Sequence, residues 1–237
     1  LRTTIDYFRR NGGSLKRIIN APNAAPTLFP PVDLSAFLAY IRDVWNAAKA
    51  AQPTWWQGKK ETTLVGGFYV MLNNDETRMQ YGIGFGHFIY EASEVKLHPE
   101  TNMPKTVGRT DIQFAYASCM GPTLTLEFKR LNNKTALRQK YFSEGVARFV
   151  SGKYAPEHDT AMMVGLIEGS ASTEKAGLLK YLCRPVTKSV LALQPMSHPE
   201  YGDPSQDTPA VDFDTLHARD SSCSCAEIRV GHILLER

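Results

Sequence analysis

Two short segments with alternating apolar and polar residues constrain the fold of this chain most strongly. In RTDIQFAYA (109–117) every second residue from Ile112 to Tyr116 is apolar, and TLTLEFK (123–129) repeats the pattern. This period of two is typical of β-strands, because successive side chains point to opposite faces of a sheet. The intervening SCMGP (118–122) contains a Gly-Pro pair. We therefore predict an antiparallel hairpin with a five-residue loop.

Three charged residues of this hairpin are predicted to share one face. With a five-residue loop, Gln113 faces Glu127 and Asp111 faces Lys129. Side chains on neighbouring positions of such a ladder lie about 5–8 Å apart. Two carboxylates at that spacing can share Mg²⁺ or Mn²⁺, and a lysine beside them can orient or deprotonate a water and offset negative charge. The alternative is three ordinary charges on the solvated face of an amphipathic hairpin.

The rest of the chain alternates between helical and strand patterns. Apolar residues at helical spacing predict helices over 34–50, from Glu61 to about 72, over about 135–150 and over 172–182. Strands are predicted at 87–97, 160–167 and 226–236, and the polar, proline-rich stretch 194–222 reads as an irregular connection. The run TAMMVGLI is apolar on both faces, which suits a strand covered by helices on each side. We therefore predict an α/β fold in which helices flank both faces of a mixed β-sheet.

The size and composition of the chain indicate one main domain. Its 237 residues divide into a basic arm and packing helix (1–52) and a main domain (53–237). No apolar run approaches the roughly 18 residues of a membrane helix, so no membrane span is expected. Four cysteines do not make a disulfide scaffold, which favours the reducing cytoplasm.

Basic residues are concentrated in two parts of the chain. The net charge is only +3, but residues 1–20 and 127–153 carry local positive excesses that can attract a polyanion. Four basic residues lie on or just after the predicted helix that follows the hairpin, where they could contact a phosphate backbone: Arg138, Lys140, Arg148 and Lys153. Ordinary exposed positions explain them nearly as well.

Two other patterns are set aside. His217, Cys223, Cys225 and His232 could be considered a zinc site, but C-x-C is a poor spacing for a closed structural centre. We interpret them as scattered core or loop residues. GIGFGH (82–87) completes neither glycine-rich phosphate-binding motif and is predicted to be a turn.

The hairpin resembles the motif of the PD-(D/E)xK nuclease superfamily. In GRTDI and LTLEFKRL, Asp111 matches the first acid, Glu127 the second and Lys129 the lysine. Thr110 stands where the motif has proline, a position that varies in the superfamily. The order of helices and strands over residues 61–167 is similar to that of the family, and the segment after the motif resembles bacterial members thought to act in anti-phage defence or restriction.

This resemblance implies a restriction-endonuclease-like mixed sheet and a Mg²⁺-dependent endonuclease, with Mn²⁺ as an alternative metal. Asp111 and Glu127 would be its metal ligands. It also implies a further glutamate from the helix before the sheet. Glu61 is the best candidate for that position, and Glu91 competes with it if its segment is helical.

The expected function is therefore hydrolysis of nucleic acid, with DNA as the expected substrate. No recognition module is evident, so we expect a partner ATPase, a helicase or a second subunit to gate the activity. The chain could also form a homo-oligomer. The alternative is a catalytically silent nuclease-like domain that binds nucleic acid or a partner protein in a larger complex. A third interpretation, a scaffold that uses the hairpin face for protein contacts, predicts no dependence on metal.

Overall fold

A computed structural model of the protein describes residues 31–83, 86–97, 100, 104–116, 123–195 and 203–237. The helices are α1 (Pro31–Ala51), α2 (Glu61–Leu72), α3 (Asp75–Gln80), α4 (Thr135–Lys140), α5 (Ala147–Val150), α6 (Ala171–Leu182) and α7 (Pro185–Val190). A 3₁₀ turn (Thr54–Gln57) precedes α2, and a π-helical segment (Tyr141–Val146) joins α4 to α5. The strands are β1 (Gly86–Tyr90), β2 (Ser93–Leu97), β3 (Pro104–Arg109), β4 (Ile112–Tyr116), β5 (Thr123–Leu131), β6 (Thr160–Ile167), β7 (Phe213–Ala218) and β8 (Glu227–Glu236).

Six of these strands form one mixed sheet in the order β1-β4-β5-β6-β8-β7. β4 is antiparallel to both β1 and β5, whereas β5, β6 and β8 run parallel, and β7 closes the sheet antiparallel to β8. β2 and β3 form a separate two-stranded ribbon. The prediction of an α/β fold with a mixed sheet is confirmed.

Apolar side chains from the two faces of the sheet enter different cores. Phe128 and Val164 belong to a core that includes buried residues of α1 and α2. Met163 and Ile167 belong to a second core with the π-helical segment and α6. Helices therefore cover both faces of β6, as predicted from a run that is apolar on both faces. Each large buried side chain contributes roughly 1.5–3 kcal/mol.

The π-helical segment lies very close to the sheet at Gly145. A Cβ atom there would lie 2.4 Å from Cε of Met163 on β6 and 3.8 Å from Cγ of Lys129 on β5. Any larger residue would force the helix away from these strands. The absence of a side chain at Gly145 therefore lets the π-helical segment lie close to the part of β5 that carries Lys129.

The register of the hairpin differs from the predicted one. Gln113 pairs with Thr125 rather than with Glu127, because the connection between the paired residues is two residues longer than predicted; residues 117–122 within it lie outside the described part of the chain. Extending the observed register by one residue places Asp111 opposite Glu127. A shift of two leaves every side chain on its predicted face.

Two further predictions require correction. The segment 87–97 is not one strand, because the chain leaves β1 at Glu91, with a φ of +49°, and re-enters the ribbon as β2. The stretch 194–222 is not wholly irregular, since it contains β7. Residues 1–30, which include most of the predicted basic arm, lie outside the described residues. None of the described helices has both the length and the apolar character needed to cross a bilayer.

Candidate active site

Three predicted site residues meet near the C-terminal end of β5. Nζ of Lys129 lies 2.8 Å from Oε1 of Glu127 and 3.4 Å from Oε1 of Glu61. Lys129 Nζ also donates a 2.8 Å hydrogen bond to the backbone oxygen of Phe128. Glu61 is the first residue of α2. The packing of α2 against the sheet therefore places the carboxylate of Glu61 beside Lys129.

The edge of β5 beyond its last pair with β4 positions two carboxylates. Asp111 Oδ2 accepts a 2.8 Å hydrogen bond from the backbone N–H of Phe128, and Glu61 Oε2 accepts one of 2.8 Å from that of Arg130. Alternate N–H groups of a strand point to the same edge. Asp111 and Glu61 therefore lie side by side along β5 and satisfy backbone donors that no strand pairs.

Glu127 is the most buried member of this site, with only 1% of its surface exposed. Its Oε1 accepts from Lys129 Nζ over 2.8 Å and from a guanidinium nitrogen of Arg148 over 3.2 Å. Its Oε2 is buried and has no hydrogen-bond partner among the described residues. A buried polar atom without a partner is costly, and a bound cation would remove that cost.

Burial also shifts the ionisation of the site. It raises the pKa of Glu127 to about 7, with a further increase from Asp111, against opposing contributions from Lys129 and Arg148. Burial likewise raises the pKa of Asp111. Burial alone would lower the pKa of Lys129, but the carboxylates of Glu127 and Glu61 raise it above its usual value. Such perturbed groups are typical of functional sites, and they leave Lys129 a cation in the free protein.

The competing acid, Glu91, lies elsewhere. It occupies the turn after β1 and forms an ion pair of 3.3 Å with the exposed Arg109. The neighbouring Thr110 donates its backbone N–H to the oxygen of Ala92 over 3.0 Å. Proline has no N–H to give, which accounts for the absence of proline before Asp111.

The four predicted nucleic-acid contacts occupy different environments. Lys140 lines a cleft of about 420 Å³, whose walls also include Glu61, Lys129 and Arg130. Lys153 is exposed, and Arg148 lies against Glu127. Arg138 is mostly buried and forms an ion pair of 2.9 Å with the buried carboxylate of Glu174. These positions leave Lys140 and Lys153 the better placed for a phosphate backbone.

Tyr154 borders the site although it was not among the predicted site residues. Its hydroxyl accepts a 2.7 Å hydrogen bond from Arg148 and donates one of 2.7 Å to the backbone oxygen of Arg109. Its ring is almost fully buried. Tyrosine in a loop is common, so no local pattern could have identified it.

The two histidines considered as zinc ligands are part of a buried hydrogen-bonded chain instead. His232 contacts the hydroxyl of Tyr141 at 2.9 Å and that of Thr215 at 3.0 Å, and Thr215 contacts His217 at 2.7 Å. Burial lowers the pKa of His217 to about 4. Cys223 and Cys225 carry free thiols. Within the part of the chain that the structure describes, no three His, Cys, Asp or Glu side chains converge as a metal-binding group.

No protein-family model, curated protein or solved structure matches this chain. The geometry at the end of β5 is therefore the basis of the functional conclusion. Asp111, Glu127, Lys129 and Glu61 form one cluster there, and Glu91 and Arg138 lie in separate ion pairs.

Proposed function

We propose that this protein is a Mg²⁺-dependent nuclease with a restriction-endonuclease-like fold that hydrolyses phosphodiester bonds of DNA. The observation that carries the proposal is that Oε2 of Glu127 is buried and has no hydrogen-bond partner among the described residues. Extending the hairpin register by one residue places Glu127 opposite Asp111, and Lys129 follows two residues later on β5. The motif has an acid at one strand and E-x-K on the next, and Asp111, directly before β4, and Glu127 and Lys129 on β5 match this arrangement.

Asp111 and Glu127 would hold the metal. Both offer carboxylate oxygens, the donors that Mg²⁺ prefers, and two carboxylates with several waters and a substrate phosphate are a common ligand set. The partnerless oxygen of Glu127 fits this role. When bound, Mg²⁺ would neutralise charge on the phosphate and lower the pKa of a bound water.

Lys129 would act as the cation next to the reacting phosphate. Its raised pKa keeps its ammonium group charged, so it can offset developing negative charge and orient the attacking water. Glu61 holds this ammonium from the far side, 3.4 Å from Nζ. Glu61 therefore orients Lys129 and keeps it at the wall of the cleft.

Lys140 and Lys153 would guide the nucleic acid to the cleft. Lys140 lines the same cleft as Lys129, and both Lys140 and Lys153 are exposed. Such lysines contact phosphates without reading sequence, so their contribution falls with salt.

Cleavage of supercoiled and linear DNA, and of RNA as a second substrate, tests the proposal. The chain is assayed with Mg²⁺, Mn²⁺ or EDTA, alone and with the products of its neighbouring genes, because we also propose that a partner ATPase, helicase or second subunit releases the activity. Wild type should cleave with metal, Glu127→Gln and Lys129→Ala should not, and Glu91→Gln should match wild type. No cleavage by wild type under any of these conditions would refute the enzyme proposal.

A second candidate function is a silent nuclease-like domain that binds nucleic acid or a partner protein. The absence of a three-residue metal group within the described ranges favours it. This candidate predicts nucleic-acid binding that is unchanged by EDTA and by Glu127→Gln, without product formation. The same preparations therefore distinguish the two candidates by a gel-shift measurement beside the cleavage assay.

A further inference from the structure

Arg148 and Tyr154 form a connected pair against the buried side of Glu127. One guanidinium nitrogen of Arg148 lies 3.2 Å from Glu127 Oε1 and 2.7 Å from the hydroxyl of Tyr154. The guanidinium carbon also lies 5.3 Å from the centre of the Tyr154 ring. Arg148 thus has a fixed direction, with one nitrogen shared between the carboxylate and the phenol.

Tyr154 is itself held on two sides. Its hydroxyl donates to the backbone oxygen of Arg109, which lies two residues before Asp111. Arg219 donates hydrogen bonds to backbone oxygens of α5 and of the loop that carries Tyr154. The donor–acceptor distances are 3.0 Å to Phe149, 2.8 Å to His158 and 3.1 Å to Ala155. This buried arginine fixes the loop by several charge-assisted hydrogen bonds. The position of the phenol is therefore set by the fold and does not depend on a ligand.

The donors around Glu127 are distributed unequally between its two oxygens. Oε1 receives Lys129 and Arg148, whereas Oε2 has no partner among the residues described. Two donors on one oxygen restrain rotation of the carboxylate about its last bond. Arg148 adds a second donor to the oxygen that Lys129 already contacts, so it fixes the orientation of the carboxylate in addition to its effect as a charge.

We propose that Arg148, held by the hydroxyl of Tyr154, is a positioning residue that fixes Oε1 of Glu127 and so presents Oε2 to the divalent cation shared with Asp111. The inference rests on the proposed metal site. It differs from the prediction that Arg148 contacts phosphate, because both hydrogen bonds of its nitrogen point inward and only a third of its side chain is exposed. Groups that orient a ligand in this way commonly change metal affinity by about 10–100-fold.

The test measures Mn²⁺ affinity by titration calorimetry without nucleic acid. Tyr154→Phe keeps the ring and removes only the hydroxyl, so it is the mildest variant, and Arg148→Gln removes the guanidinium. Both should weaken Mn²⁺ binding by about 10-fold, and Arg148→Lys, which keeps a donor, should recover part of the loss. Thermal denaturation of each variant shows that the chain remains folded.

A second arginine–tyrosine pair provides the matched control. Arg184 lies over the ring of Tyr181, 4.4 Å from its centre, on the segment that follows α6. Tyr181→Phe and Arg184→Gln make the same chemical changes outside the site. Both should leave Mn²⁺ affinity at the wild-type value.

Two results would overturn the inference. One is unchanged Mn²⁺ affinity in Tyr154→Phe and Arg148→Gln; if DNA affinity then falls in Arg148→Gln, Arg148 is a substrate contact instead. The other is no Mn²⁺ binding by wild type. Failure of the nuclease proposal has a separate signature, because wild type would then bind Mn²⁺ at Glu127 without cleaving any substrate.

Discussion

The carboxylate of Asp111 accepts a 2.8 Å hydrogen bond from the backbone N–H of Phe128, across the edge of β5 that β4 leaves unpaired. Asp111 therefore has two proposed roles, to accept this hydrogen bond and to supply a negative charge to the metal, and different substitutions separate them. Asn keeps an oxygen that can accept this hydrogen bond but removes the charge needed for a metal. Ala removes both.

We expect Asp111→Asn to lower cleavage by at least about 100-fold and to change the free energy of unfolding by less than about 1 kcal/mol. Asp111→Ala should lose the same activity and about 1–3 kcal/mol of stability, because the N–H of Phe128 loses its partner. Cleavage rates and urea unfolding measure the two effects. Full activity in Asp111→Asn would remove Asp111 from the metal site.

The stability of the metal-free protein should fall between about pH 4.5 and pH 7. Glu127 has a pKa of about 7 in the folded protein against 4.5 for an ordinary glutamate, so the unfolded chain releases this proton first. The contribution of Glu127 is fully present below pH 4.5 and is lost as the pH rises to about 7. Its size is at most about 3 kcal/mol.

Glu127→Gln provides the measurement for this pH effect, because it keeps the shape of the side chain and cannot ionise. In EDTA, the difference in unfolding free energy between Glu127→Gln and wild type should favour the variant more at pH 8 than at pH 5. Urea titrations at the two pH values give this difference. An equal difference at both would show that Glu127 titrates normally.

The third prediction is that Glu61, and not Glu91, is the further glutamate of the site. Glu61→Gln keeps an acceptor for the N–H of Arg130 but removes the charge that orients Lys129, so cleavage should fall by about 10-fold. Glu91→Gln removes only an exposed ion pair with Arg109, which is worth at most about 1 kcal/mol. Equal cleavage rates in the two variants would contradict the assignment of Glu61.

The fourth prediction is that the buried Arg138 contributes to stability whereas the exposed Lys140 contributes to DNA binding. Arg138→Gln leaves the buried carboxylate of Glu174 without its ion pair and should cost about 3 kcal/mol of stability. Lys140→Gln should leave stability unchanged, weaken DNA binding and reduce the slope of log affinity against log salt by about 1. Fluorescence anisotropy at several salt concentrations gives the slope. A stable Arg138→Gln with weak DNA binding would reverse these roles.

Periodicity was sufficient to predict the elements whose apolar pattern is regular. The helix starting at Glu61 and the strand at 160–167 lie where the sequence places them. The faces of β4 and β5 were also predictable, because alternation fixes them whichever even register the hairpin adopts. The register itself depends on the conformation of the connection, which composition does not determine.

The missed strand β7 has a physical explanation in its buried polar residues. Asp214, Thr215 and His217 are fully buried, so the segment does not resemble a strand of the core. Their partners come from distant parts of the chain: Arg229 donates to Asp214 over 2.8 Å, and His232 contacts Thr215 at 3.0 Å. Tyr154 reaches the candidate site through similar tertiary contacts, which explains why local sequence could not reveal it.

A crystal of the wild-type protein grown with Mn²⁺ shows whether Asp111 and Glu127 share a metal ion. Anomalous scattering locates Mn²⁺ without reference to any assumed site. We expect a peak bound by a carboxylate oxygen of Asp111 and by Oε2 of Glu127, at about 2.0–2.3 Å from each, and no peak there in Glu127→Gln. Saturating Mn²⁺ with no peak between these two carboxylates, or with peaks only elsewhere, would contradict this expectation.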